Sequence, residues 1–141
     1  MADVHKPHIR SYNMSRIKGK DTKPEMIVRK FLHSNGFRYN LHGKFKSEKL
    51  PGKPDLVLPK YKTAVMINGC FWHGHSGCKY FVMPKTRTEW WRGKIAKTQS
   101  NDLKNLKHLK NLGWKVIVIW ECELKRDSEM ALQKLISTIE K

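Results

Sequence analysis

Residues 67–78 read INGCFWHGHSGC and place two cysteines, two histidines and two large aromatic residues in one short segment. The apolar run just before it, AVMI at 64–67, is typical of a buried strand that ends at the turn signal Asn68-Gly69. Cys70, His75 and Cys78 then follow at short spacing. Because zinc binds sulfur and nitrogen ligands of this kind, the segment predicts a metal-binding loop at a strand end.

The remaining cysteine, Cys122, follows a second apolar run, VIVIW at 116–120. If the two strands lie side by side, Cys122 reaches the loop and completes a Cys3His site, since structural zinc takes four ligands. His73 is then left without a structural role. The alternative is that the cysteines are small core residues and the histidines are exposed.

The composition is strongly basic and fits a single folded unit. The chain has 141 residues, with 29 Lys and Arg against 12 Asp and Glu, and a formal net charge of +17. This length predicts one domain, at 21–141, preceded by a basic arm at 1–20. A charge spread over the whole chain favours a polyanionic partner, most often nucleic acid, although a ribosomal protein is also this basic.

The cysteine count and the apolar segments indicate where the protein works. Three cysteines cannot all pair, which argues against a disulfide framework and for a reducing compartment. The sequence has no apolar stretch of transmembrane length, and its beginning lacks the apolar centre of a signal peptide. We therefore expect a cytoplasmic protein without a membrane partner.

The predicted arm carries basic residues and little apolar periodicity. Arg16 and Lys18 are expected to contact the phosphate backbone of DNA. A solvated tail is the alternative interpretation.

The order of elements predicts a mixed α/β fold. A first helix begins at a capping-box pattern, Thr22 with Glu25, and ends at Gly36. Three strands follow, then a long helix at 88–112, a strand at 115–120 that we expect to be central, and a last helix at 128–139 containing Met130. The capping-box role is a complete structural explanation for Glu25 in the sequence.

Two aspartates are harder to explain structurally. Pro54-Asp55 can be only a turn, but Asp55 enters a buried strand, where a carboxylate is costly unless it is paired or metal-bound. Asp102 falls within the apolar stripe of the long helix, and no basic residue lies three or four positions away. An inward carboxylate needs a hydrogen-bond donor, and His73 is the candidate.

These residues resemble a known nuclease pattern. Pro54-Asp55, a turn and a second strand form the arrangement of restriction-endonuclease-like enzymes, although the usual second motif, (D/E)-x-K, is absent at 66–68. Over about residues 1–125 the chain closely resembles the very short patch repair endonucleases, called Vsr. The matching segments are Asn13-Met14, Asp21-Thr22, Glu25, Pro51-Gly52-Lys53-Pro54-Asp55, Gly69-Cys70-Phe71-Trp72-His73, Thr86-Arg87-Thr88-Glu89, Asp102, Gly113-Trp114 and Trp120-Glu121-Cys122.

The resemblance implies a restriction-endonuclease-like mixed sheet flanked by helices, with a structural zinc site. It also implies an Mg²⁺-dependent enzyme in which Asp55 is the main Mg²⁺ ligand and the backbone carbonyl of Ile67 is the second. His73 would be the general base, oriented by Asp102, and Glu25 would hold metal-bound water. Zinc would be bound by Cys70, His75, Cys78 and Cys122.

The implied substrate is double-stranded DNA with a T·G mismatch, nicked on the thymine strand. Met14, Phe71 and Trp72 resemble residues that wedge into the base stack, although core packing would also explain the two aromatic residues. Such mismatches arise by deamination of 5-methylcytosine, so the implied functional partners are a cytosine-5 DNA methyltransferase and mismatch-repair proteins. A monomer acting at the bacterial nucleoid is expected.

Two positions depart from the family pattern. The spacing from His75 to Cys78 is one residue longer than usual, and Asn68 stands where some members have histidine. Two other functions remain open on the residues alone. One is a zinc-stabilised DNA-binding module without catalysis, and the other is a restriction-type nuclease that cuts matched sites.

Overall fold

The structure is a computed structural model that describes residues 22–141. The arm predicted at 1–20, with Met14, Arg16 and Lys18, lies outside the described residues. The described elements are α1 (Lys23–Ser34), β1 (Asn40–Leu41), β2 (Lys44–Phe45), β3 (Glu48–Lys49), β4 (Leu56–Leu58), a 3₁₀ turn (Pro59–Tyr61), β5 (Thr63–Asn68), α2 (Thr88–Asn111), β6 (Lys115–Trp120) and α3 (Glu121–Glu140). Among them, no helix is long and apolar enough to cross a membrane.

The main sheet is mixed and has the strand order β1-β4-β5-β6. Antiparallel pairing joins β1 to β4 and β4 to β5, whereas β5 and β6 are parallel. Strands β2 and β3 form a separate hairpin. The predicted mixed sheet flanked by helices is therefore confirmed.

Strand β6 was expected at the centre of the sheet, and this expectation is wrong. It lies at the edge of the described sheet, paired only to β5. Its apolar run has another cause, because helices cover both of its faces. Ile119 belongs to the core shared with α1 and α3, and Val116 packs against the core on the α2 side.

Two apolar clusters fix the helices to opposite faces of the sheet. On one face, α1 and α3 contribute Val28, Leu32, Leu132, Leu135 and Ile139, which pack against Leu56, Val65 and Ile67. On the other face, Leu109 of α2 and the adjacent Trp114 pack with Leu50, Val57 and Ala64. This second cluster anchors the carboxyl-terminal half of α2 and so sets where the rest of that helix lies.

The helix boundaries correct two expectations. Thr22 makes no side-chain cap bond, and its hydroxyl donates to the Glu25 carboxylate at 2.8 Å. Helix α3 begins at Glu121 rather than Ser128 and is interrupted at Asp127. The Asp127 carboxylate accepts the Met130 N–H at 3.1 Å and so restarts the helix, which leaves Met130 68% exposed rather than buried.

The packing of α2 predicts a site-specific loss of stability. Leu109 is fully buried, whereas Leu112, just beyond the same helix, is 48% exposed. We expect Leu109→Ala to lower the free energy of unfolding by roughly 2–5 kcal/mol, since it leaves a cavity. The matched Leu112→Ala change should stay within about 0.5 kcal/mol. Urea unfolding of both variants measures the difference, and equal losses would contradict this view of how α2 is anchored.

Candidate functional site

The site lies where the two parallel strands end. Their register continues to the last pair, Asn68 with Trp120, so the loop after β5 and the start of α3 begin side by side. The backbone N–H of Cys122 donates to Cys70 Sγ at 3.3 Å, and both cysteines are buried. The predicted approach of Cys122 to the loop is confirmed.

Four side chains form a cluster with the ligand types of a structural zinc site. The ligand atoms of Cys70, His75, Cys78 and Cys122 all lie within 4.8 Å of one another. Cys122 Sγ lies 3.4 Å from His75 Nδ1. Tetrahedral zinc separates such ligand atoms by about 3.6–3.8 Å, given Zn–S of about 2.3 Å and Zn–N of about 2.0–2.1 Å. The cluster thus fits a zinc ion to within about 1 Å, and the longer spacing does not keep Cys78 out.

The electrostatics of the thiols also suit a cation. Burial raises the pKa of the Cys70 thiol to about 12; the Cys122 N–H opposes this shift, and hydrogen bonding with the Cys122 and Cys78 thiols adds to it. For Cys78 burial acts in the same direction, but the pKa is lowered because backbone N–H groups and the other two thiols favour its thiolate. A divalent metal ion would stabilise all three thiolates together.

Helix α2 holds the loop through a contact that sequence reasoning missed. Gln99 Nε2 donates to the Gly74 carbonyl at 2.9 Å. Gly74 has φ +59°, and a Cβ there would lie 2.5 Å from Ile95 Cγ2, so only glycine allows this close approach. The signal was available, because Gln99 lies three residues before Asp102 and therefore on the same side of the helix.

Next to the Gln99–Gly74 contact, the side chain of His73 in the loop contacts that of Asp102 in α2. His73 Nδ1 lies 2.7 Å from Asp102 Oδ2, and both side chains are half-buried. An ionised carboxylate only accepts hydrogen bonds, so in a neutral imidazole this contact favours the tautomer with the proton on Nδ1 and Nε2 as the acceptor. The predicted contact is confirmed, whereas the catalytic role of the pair stays a prediction.

Two further carboxylates line the same cleft. Glu25 is buried and, besides the Thr22 hydroxyl, contacts Arg29 Nη2 at 3.3 Å. Arg29 lies one turn along α1, at the i+4 position that suits an ion pair, and sequence reasoning overlooked it. The Glu25 side chain is thus positioned by α1 and does not cap it.

Asp55 is the second of these carboxylates and lines the cleft together with Glu25 and His73. Its Oδ2 accepts the Ile67 N–H at 2.6 Å. Burial raises the pKa of Asp55 to about 6; the Ile67 N–H opposes this shift, the Glu25 carboxylate adds to it, and His73 and Arg29 oppose it. Asp55, Glu25, His73 and Asp102 line one cleft, of about 1470 Å³, in which Glu25 and His73 both act electrostatically on Asp55.

An aromatic cluster borders this cleft. Phe71 and Trp72 contact each other and also Trp91 of α2, with ring centroids 5.2–5.7 Å apart. Both are half-buried, so they are neither core residues nor fully exposed. The sequence placed Trp91 only in the buried stripe of α2, because helical periodicity does not show which loop a residue faces.

The sequence is similar to those of known proteins over nearly its whole length. A family model described as "DNA mismatch endonuclease Vsr" matches residues 2–79. The "Type II nicking enzyme V.NmeAIP" of Neisseria meningitidis is 50% identical over 125 residues, covering 89% of this chain and 86% of that protein. The "DNA mismatch endonuclease Vsr" of Escherichia coli K12 is 36% identical over 140 residues, covering 99% of this chain and 86% of that protein.

Among solved structures, the catalytic domain of the homing endonuclease I-Bth0305I aligns with a TM-score of 0.48 and 20% sequence identity. The alignment covers 84% of this chain and 94% of that domain.

The cluster geometry predicts that a metal ion stabilises the protein. Cys122→Ala should lower the free energy of unfolding and remove about one zinc per chain, because metal binding is linked to folding. Ser76→Ala, an exposed change in the same loop, is the control and should retain the metal. Zinc content and thermal unfolding, with and without chelator, provide the measurement. Protein that is purified without zinc and is insensitive to chelator would refute the site.

Proposed function

The chain belongs to the Vsr family of DNA mismatch endonucleases, and from that membership we propose that it nicks the thymine strand of duplex DNA at a T·G mismatch. The observation that carries the catalytic part is the hydrogen bond between His73 Nδ1 and Asp102 Oδ2, at 2.7 Å. This pair lines the cleft that also contains Asp55 and Glu25.

His73 is the proposed general base. Asp102 holds the proton on Nδ1, which leaves Nε2 unprotonated and able to accept a proton from the attacking water. The water oxygen forms the new bond to phosphorus as the backbone P–O bond breaks. A histidine is suited to this step because its ordinary pKa lies near neutral pH.

Asp55 and the Ile67 carbonyl are the proposed Mg²⁺ ligands, with Glu25 close by. When bound there, Mg²⁺ would stabilise negative charge at the phosphate. The surroundings of Asp55 support this assignment, because burial first, and the Glu25 carboxylate further, raise its pKa to about 6, and a cation bound there would favour the ionised form.

The strand register supports the role of the Ile67 carbonyl. In the β4–β5 pairing, Leu56 lies opposite Val65. Continuing this antiparallel register places Pro54 opposite Ile67, and proline has no N–H to donate to the carbonyl. The Ile67 N–H already bonds to Asp55, so its carbonyl and that carboxylate lie at the same end of β4.

Recognition of the mismatch is assigned to the aromatic residues at the cleft. Phe71 and Trp72 are proposed to enter the base stack together with Met14 of the arm. Unstacking a base step costs a few kcal/mol, and less where the pair is mismatched, so wedging favours T·G before any base edge is contacted. Phosphate contacts by Arg16, Lys18 and other basic residues would act on all duplexes alike.

The proposed substrate connects the protein to other activities. T·G mismatches form when 5-methylcytosine deaminates, so the proposed functional partner is a cytosine-5 DNA methyltransferase. After the nick, mismatch-repair proteins would act on the opened strand.

The catalytic assignment predicts graded losses. Asp55→Ala should abolish Mg²⁺-dependent nicking while largely retaining DNA binding. His73→Ala should slow the single-turnover rate by about 100-fold or more, the scale of a lost acid–base group. Asp102→Asn should cause a smaller loss. His108→Ala, an exposed histidine near the end of α2, is the control.

These rates are measured on strand-labelled duplexes that are T·G-mismatched or matched. A normal rate for His73→Ala would place the base elsewhere. Cutting of both strands of a matched site would indicate a restriction-type nuclease, and binding without cutting would indicate a DNA-binding module.

The wedge assignment predicts a change in selectivity. Trp72→Ala should reduce the ratio of T·G to T·A cleavage more than it reduces DNA binding. Without the indole no side chain is inserted there, so the lower cost of unstacking at the mismatch no longer favours T·G. Lys18→Ala should weaken binding to both duplexes and reduce its salt dependence, while largely retaining the ratio of T·G to T·A cleavage. The test compares single-turnover nicking on two duplexes that differ at one base, at two salt concentrations. If both variants lost nicking activity equally on the two duplexes, the aromatic wedge would not discriminate T·G from T·A. Hydrogen bonds to the base edges would then be the source of the selectivity.

A further inference from the structure

Trp120 contacts both histidines of the loop with one ring. Its indole stacks face to face on His75, with ring centroids 3.9 Å apart and planes 3° apart. It also makes an edge-to-face contact with His73, with centroids 6.3 Å apart and planes at 79°. His75 belongs to the metal cluster and His73 to the catalytic pair, so this side chain lies between the two sites.

The backbone of Trp120 is fixed from several directions. It is the last residue of β6 and pairs with Asn68, the last residue of β5, after which the loop begins. Its N–H donates to the Glu123 carboxylate at 3.4 Å, at the start of α3. Cys122, two residues later, joins the metal cluster. The indole therefore has a rigid base, as a positioning group requires.

Each histidine is held at its edge by a polar contact that leaves the ring plane less defined. His75 Nδ1 faces Cys122 Sγ, and His73 Nδ1 faces Asp102. A polar contact at one ring nitrogen does not by itself prevent the imidazole ring from rotating about that contact. An aromatic surface packed on the face of one ring and against the other ring restricts this rotation. Metal-binding histidines ordinarily have their orientation fixed by a second contact, usually a hydrogen bond from the other ring nitrogen, and at His75 the stacked indole restrains the ring plane.

The position of Trp120 distinguishes it from a core residue. Trp114, the residue just before the same strand begins, is 5% exposed and packs edge-to-face on Phe45, as expected of a core tryptophan. Trp120 is half-buried and lines the cleft. Its ring is therefore placed beside the site, where a smaller apolar residue would leave both imidazoles less restrained.

We propose that Trp120 is a positioning residue that sets the ring planes of His75 and His73 together, so that metal binding and the orientation of the general base depend on one side chain. The part concerning His73 rests on the proposed function. The part concerning His75 rests only on the metal cluster and is measured without any DNA.

The experiment compares Trp120→Leu with Trp120→Phe and with Trp114→Leu. Zinc affinity is measured by competition with a chelator. Nicking of a T·G duplex is measured under single-turnover conditions, which separates the rate at saturating DNA from the half-saturating DNA concentration. Unfolding of each variant is followed in parallel. If Trp120→Leu fails to fold, Trp120→Met replaces it, because it fills volume without a ring.

For Trp120→Leu we expect zinc affinity and the saturated rate each to fall about 10-fold or more, as for lost contacts that orient metal ligands. The half-saturating DNA concentration should stay within about twofold, since the wedge residues and basic residues are unchanged. Trp120→Phe should recover most of both quantities, because it restores an aromatic face. Trp114→Leu should lower stability but leave zinc affinity and the saturated rate near the wild-type values.

The proposal is overturned if Trp120→Leu binds zinc and nicks DNA as the wild type does, or if Trp120→Phe is no better than Trp120→Leu. It is also overturned if Trp114→Leu reproduces both losses, because the effect would then follow general stability. A wild-type protein that binds zinc but nicks no DNA would refute the proposed function, while the zinc measurements would still decide the role of Trp120 at His75.

Discussion

The parallel pairing of β5 with β6 is the constraint on which the site depends. Six consecutive residue pairs, from Thr63–Lys115 to Asn68–Trp120, fix where both strands end. Only this register lets the loop after β5 meet the first turn of α3, where Cys122 contacts Cys70. A slip of β6 by one residue would turn Trp120 to the opposite face of the sheet and displace Cys122 from Cys70.

A second contact, between α2 and the loop, brings Asp102 to His73. Helix α2 is anchored at its far end by Leu109, and it meets the loop through Gln99 and Asp102. Gly74 allows this approach because it has no side chain to collide with Ile95. The loop is therefore held on one side by the cysteines and on the other by α2, with His73 between them.

The sequence predicted the features that depend on short spacing and on polar residues in apolar surroundings. The approach of Cys122 to the loop and the contact of His73 with Asp102 followed from residues that lacked a simpler explanation. The edge position of β6 could not be predicted, because a strand covered by helices on both faces has the same apolar composition as a central strand.

Some local sequence patterns predicted the wrong contact. Thr22 and Glu25 have the spacing of a capping box, but in the structure the Thr22 hydroxyl donates to the Glu25 carboxylate and makes no cap bond. Trp91 and Trp120 could not be assigned to the site from the sequence, because their partners, Phe71 and His75, are distant in sequence. Gln99 could have been assigned, because it lies on the same side of its helix as Asp102.

We propose that a metal ion bound by Cys70, His75, Cys78 and Cys122 ties together the two strand ends beside His73. X-ray absorption at the zinc edge of the purified protein tests this proposal most directly. We expect three sulfur ligands at about 2.3 Å and one nitrogen ligand at about 2.0–2.1 Å. A shell made of oxygen and nitrogen alone, or a protein that contains no zinc, would contradict it.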